Sequence, residues 1–149
     1  MNTLAKTFAA AALIAVSTFT MAAGKPAGDK SKKATVNLST ADLAIDHYVG
    51  VMTEGQSAGV EQLFASDFSQ KVHASNDQTN SRSEVISFLK KQKGEQLNCK
   101  TSTTIVEQSS DYVVAKVTQQ FEGFTKTDLV TLVNDGGNWK VSQYINSYK

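Results

Sequence analysis

The sequence predicts one α+β domain in which helices from its first half cover one face of an antiparallel sheet from its second. Two patterns carry this. Between Ser39 and Gly94 apolar residues recur at helical spacing, and after Gly94 the chain turns into four β-rich runs joined by very short loops. The bulk composition agrees: the 149 residues are 40% hydrophobic and 19% charged, an ordinary globular balance.

The chain opens with MNTLAKTFAAAALIAVSTFTMAAG, where Lys6 precedes an apolar run from Phe8 to Val16 and small residues close the segment at Ala22, Ala23 and Gly24. That three-part order predicts a secretory signal peptide over residues 1–23, cleaved after Ala22 or Ala23, and hence a periplasmic or secreted protein. The run is too short for a membrane span, which needs about 20 apolar residues. Residues 24–37 hold four lysines against one aspartate and the sole proline, and read as a flexible basic linker. The domain is expected over 38–149, where ten basic face thirteen acidic residues. Roughly 125 residues remain after the leader, enough to bury one core without disulfides or metals.

Ser39-Thr-Ala-Asp42 resembles a capping box, and Ile45, Tyr48, Val49 and Met52 follow on one helical face up to Gly55. A second short helix is expected from Ser57 to Ala65, burying Val60, Leu63 and Phe64. Phe68 to His73 and the stretch near Gln78 to Asn80 read as short strands on either side of a polar turn. Ser81-Arg-Ser-Glu84 is a second capping box, opening a helix with Val85, Ile86 and Leu89 on one side. Lys90, Lys91 and Lys93 near its end complement the helix dipole and do not amount to a nucleic-acid patch.

The β-rich runs fall at 97–108, 112–121, 125–134 and 139–148, and connections this short require antiparallel neighbours. Cys99 lies in an alternating stretch and reads as a buried structural thiol; as the only cysteine it excludes an internal disulfide. Two histidines and one cysteine without paired spacing give no metal site, and with no glycine-rich phosphate loop or nucleophile elbow in view no cofactor is expected.

Three stretches, HYVGVMTEGQSAGVEQLFASDF (47–68), SRSEVISFL (81–89) and LVTLVNDGGNWKVSQYI (129–145), give the chain a resemblance to the nuclear-transport-factor-two-like superfamily, nearest its bacterial "putative lumazine-binding" branch. The resemblance implies a cystatin-like cone, with three N-terminal helices packed on a curved antiparallel sheet around an apolar pocket, and dimers joined through the sheet. Some members are isomerases, dehydratases or cyclases and others only bind, so the fold leaves function open.

Laid along ketosteroid isomerase, Tyr48 matches the oxyanion-hole tyrosine and Asp128 falls near the second oxyanion donor, a carboxylic acid kept neutral by its apolar site. The general base is replaced by Val72, with His73 beside it on the opposite strand face. Each candidate also has a plain reading. Tyr48 is a core tyrosine, Asp128 a solvated carboxylate at a strand start, and His73 and His47 are surface residues. Trp139 and Val141 belong to the sheet core, while Tyr144 and Tyr148 line either the pocket or the convex face.

The preferred expectation is non-catalytic binding of a small, largely apolar ligand, with Tyr48, Asp128 and Tyr144 as ligand-binding residues. The alternatives are an isomerase, dehydratase or cyclase using Tyr48 and Asp128 with His73 as a displaced base, and a dimeric structural or interaction module. Neither nucleic acid nor a stable membrane anchor is expected as a partner; a second copy through the sheet is.

Overall fold

A computed structural model describes residues 34–73 and 77–149, so the expected leader and most of the linker lie outside the described residues. Helix α1 (Ala41–Thr53) and the one-turn α2 (Val60–Leu63) lead into strand β1 (Phe64–Val72), then β2 (Gln78–Ser81) and helix α3 (Arg82–Lys91). Strands β3 (Lys100–Gln108), β4 (Tyr112–Gln120), β5 (Thr125–Asp135) and β6 (Asn138–Tyr148) complete the chain. All six strands form one mixed sheet in the order β2-β1-β6-β5-β4-β3.

The expected meander is present from β3 to β6, every step antiparallel. Its last turn closes tightly because Gly136 and Gly137 both take positive φ, which a two-residue hairpin loop requires and side chains resist. β1 starts at Phe64, four residues ahead of the strand expected over Phe68 to His73. It runs parallel to β6 and antiparallel to β2, extending the four-stranded wall to six. The helix expected over Ser57–Ala65 therefore shrinks to Val60–Leu63, since Phe64 and Ala65 already belong to β1.

Helix α1 starts at Thr40, whose side chain accepts from the Leu43 backbone N–H, one residue later than the capping pattern suggests. It buries Ala44, Ile45, Tyr48 and Val51, with Val49 and Met52 packed at the margin. At α3 the expected capping box forms, Ser81 Oγ accepting from Glu84 N–H and the Glu84 carboxylate accepting from Ser81 N–H. These helices face Val113, Ala115, Val117, Val130, Leu132, Trp139 and Val141 of the sheet, and together they form a single core. Trp139 and Val141 are core residues, as expected. The chain ahead of α1 joins in: Trp139 N–H donates to Leu38 C=O at 2.7 Å, and Val36 N–H to Gln62 Oε1 at 3.0 Å.

Two expectations about burial fail, in opposite directions. Cys99 precedes β3 and is half-buried, and every residue of β3 is exposed, because among the described residues nothing covers either face of this edge strand. His47 errs the other way: it is buried, since the α1–α2 connection folds back until Gly59 packs against its ring.

Candidate functional site

Strand register determines which polar side chains meet. Gln119 of β4 lies opposite Lys126 of β5, and Asp128 opposite Asn146 of β6. Gln70 of β1 lies opposite Tyr144 of β6 and Asn80 of β2. A belt of polar residues thus crosses the helix-facing side of five strands, in an otherwise apolar core.

Asp128 is its centre. Expected to be solvated, it is fully buried and accepts four hydrogen bonds. Tyr48 Oη at 3.0 Å, Lys126 Nζ at 3.0 Å and Gln119 Nε2 at 3.2 Å donate to Oδ2, and Asn146 Nδ2 at 2.5 Å donates to Oδ1. Four donors and no acceptor are the partners of an ionised carboxylate, and Lys126, its side chain only 13% exposed, balances the charge. The belt continues outward from Asn146. Gln70 Nε2 donates to Asn146 Oδ1 at 2.5 Å, Asn80 Nδ2 to Gln70 Oε1 at 2.9 Å, and Gln78 Nε2 to Asn80 Oδ1 at 3.0 Å. Every amide points its donor toward the carboxylate.

Burial, reinforced by the Asp128 charge, pushes the Tyr48 hydroxyl well above the usual tyrosine range, and burial then Asp128 does the same for Tyr144. Both stay protonated. One member of the belt is incomplete: Gln119 spends its N–H on Asp128 and leaves Oε1 buried with no partner among the described residues. An unmet buried acceptor costs about 1–3 kcal/mol, so it calls for an explanation.

Next to the belt opens a cavity of about 650 Å³ between α1, α3 and the sheet. Val51, Met52, Val85, Leu89, Phe121 and Tyr144 form much of its wall, with Gln70, Gln119 and Lys126 among its polar members. Phe88, Leu97, Phe124 and Tyr148 also border it and stay 42–58% exposed, which places large apolar side chains where the cavity meets solvent. Phe121 and Phe124 stack at 4.5 Å, and Tyr148 extends the row.

The expected site residues separate accordingly. Tyr144 borders the cavity, whereas Tyr48 and Asp128 lie behind its wall, bonded to each other. His73 is 75% exposed and pairs with Asp77. Sequence reading missed Gln119, Lys126, Asn146 and Gln70; alternation on β4 and β6 would have placed Gln119 and Asn146 inward, but nothing local says that an inward amide has a partner. Among the described residues no group of three or more histidine, cysteine or carboxylate side chains could hold a metal, and no helix is long and apolar enough to cross a membrane.

The chain matches the family model described as "Putative lumazine-binding" across residues 37–144. The chain belongs to that family. Its fold is NTF2-like: an NTF2-like protein of unknown function from Silicibacter pomeroyi DSS-3 superposes with a TM-score of 0.61 at 19% identity, covering 72% of this chain and 92% of that one. A second, from Methylobacillus flagellatus KT, gives 0.57 at 14% identity with 78% and 98% covered. A third, from Shewanella baltica OS155, gives 0.55 at 13% identity with 71% and 88% covered. No curated protein matches the chain. At these identities the likeness speaks for the NTF2-like fold alone.

Proposed function

We propose that this member of the putative-lumazine-binding family is an exported protein that holds a small, largely apolar molecule in its cavity without transforming it. The observation that carries the reading is the cavity of about 650 Å³, apolar over most of its wall and open between exposed aromatic side chains. Its size suits one compact ligand, and its exposed rim of Phe88, Phe124 and Tyr148 would lose water contact when occupied.

The groups that catalysis would need are committed elsewhere. Tyr48 has given its proton to a hydrogen bond with Asp128, Asp128 is saturated, and both lie behind the wall. His73, the displaced base of the enzymatic alternative, is exposed and paired with Asp77. Pairing with a second copy through the other face of the sheet is compatible with ligand binding: Leu129, 39% exposed, lies opposite Ile145 on that face. Sedimentation at rising concentration tests it, and a persistent monomer removes it.

Native mass spectrometry of the protein purified from its own host tests the binding reading, and the same spectrum reports the cleaved N-terminus. The expected result is one added mass per chain, displaced by the neutral fluorophore N-phenyl-1-naphthylamine, with Met52→Trp abolishing uptake. No added mass and no saturable fluorophore binding would sink it. Chemical conversion of the displaced compound by fresh protein would sink the claim that nothing is transformed.

A further inference from the structure

We infer that a polar groove at the start of β6 holds a carboxylate or phosphate group, with the Arg82 guanidinium as its anchor. The groove shares no wall residue with the cavity, which meets β6 at its other end through Tyr144 and Tyr148, so this site stands or falls separately from the binding reading above.

Helix α2 is a single turn, so the carbonyls at its end have no partner further along a helix. Arg82, the first residue of α3, reaches back to supply one. Its Nε donates to Phe64 C=O at 3.1 Å and its Nη2 to Glu61 C=O at 2.6 Å. Two such bonds fix the plane of the guanidinium and spend one of its two paired-donor edges. The other edge, between Nη1 and Nη2, keeps two N–H groups side by side, the spacing that meets two oxygens of a carboxylate or phosphate. Carbonyls orient the cation without neutralising it, and Arg82 has no carboxylate partner among the described residues.

Arg82 borders a groove of about 510 Å³ between the chain ahead of α1, the end of α2 and the start of β6. What the other polar members of its wall have left to offer is also donors. Gln62 spends Oε1 on Val36 N–H, which leaves its amide N–H groups. Lys140 is bound to Asp135 at 2.5 Å but keeps two further N–H groups and is 30% exposed. Glu61 is the only acid on the wall, and Lys90 holds its carboxylate. With Lys140 and Glu61 each balanced by a partner, Arg82 is the charge left over. A cationic ligand would be repelled and a neutral one would leave Arg82 uncompensated, so the groove calls for an anion. Arginine suits this task better than lysine because its paired donors match the two oxygens at once.

The test is a proton–nitrogen NMR titration of the purified protein with inorganic phosphate and with succinate, sodium chloride holding the ionic strength constant. The expected result is saturable movement of the Arg82 Nε–H and Gln62 side-chain amide signals, and the anion that saturates at the lower concentration names the group. Arg82→Lys keeps the charge but loses the paired donors, and is expected to weaken binding about tenfold or more. Lys140→Gln removes a neighbouring charge at an exposed position, and is expected to weaken it about threefold with the fold intact. Shifts that grow linearly without saturating, saturation confined to signals outside the groove, or a folded Arg82→Lys that binds as tightly as the wild type would each overturn the site. If Arg82→Lys does not fold, wild-type affinity in Lys140→Gln overturns it instead.

Discussion

Tyr48 of α1 donates its hydroxyl proton to Asp128 of β5 across 3.0 Å, joining residues 80 apart in the sequence and pinning the first helix to the sheet. Tyr48 also meets Tyr144 edge-on at 5.6 Å, so one side chain serves both the apolar core and the polar belt. Tyr48→Phe keeps the ring and deletes only the bond, and is expected to cost about 1.5–3 kcal/mol, the range for a hydrogen bond to a charged group. Asp128→Leu strands Tyr48, Gln119, Lys126 and Asn146 together and is expected to cost about 3–5 kcal/mol. Urea denaturation measures both. A double-mutant cycle in which the two losses simply add would show that the bond contributes nothing.

Alkaline pH offers a separate reading of the same site. The folded state holds the Tyr48 and Tyr144 hydroxyls above their ordinary value of 10.0, chiefly by burial. Above that value the unfolded chain releases protons that the folded chain keeps, so stability is intact below about pH 10 and falls as pH rises further. Each tyrosine is expected to contribute about 1.4 kcal/mol per pH unit to that decline. Tyr48→Phe is expected to reduce the slope by one such share. An unchanged slope between about pH 10 and 11 would mean that Tyr48 does not titrate on unfolding.

How far the sequence disclosed this site follows from what a local pattern can encode. The α1 stripe, the Ser81–Glu84 capping box and the β3–β6 meander were all legible, because each depends on neighbours within a turn or a short loop. β1 exceeds its expected length because a register irregularity between Phe64 and Ser69 breaks the period of two, and because its partner β6 is parallel and remote. The expectation of a solvated Asp128 fails because three of its four donors, Tyr48, Gln119 and Asn146, come from other elements. Its burial is a consequence of tertiary pairing, and no window around Lys126-Thr-Asp128 contains it.

Acid pH tests the buried histidine of α1. Burial holds His47 below its ordinary value of 6.5, while contacts to the Ala58 backbone and the Gln56 side chain pull more weakly the other way. The unfolded chain therefore takes up a proton before the folded chain does. Stability is fully present above about pH 6.5 and is lost as pH falls below it toward the lower folded-state value. Denaturation midpoints from about pH 7.5 to 5 are expected to drop in the wild type and to drop less in His47→Gln. Parallel curves would assign the acid sensitivity to carboxylates instead.

Gly55 joins the two helices beside the cavity. Its φ of +63° is one that side chains resist, and a Cβ there would come within 2.5 Å of Glu95 N, 2.6 Å of Gly94 N and 2.7 Å of Gln92 O, all backbone atoms. Backbone cannot swing aside as a side chain can, and the same contact carries the hydrogen bond from Gly94 N–H to Gly55 C=O at 2.9 Å. Gly55→Ala is therefore expected to destabilise by about 2–4 kcal/mol, combining left-handed strain with overpacking. Because Gly55 and Gln92 both border the cavity, separating the helix ends should also open it. The expected companion is faster release of N-phenyl-1-naphthylamine in stopped flow, measured where the variant is still folded. A variant as stable as the wild type would show that the α1 and α3 ends are not held together in solution, and the cavity wall drawn from them would have to be redrawn.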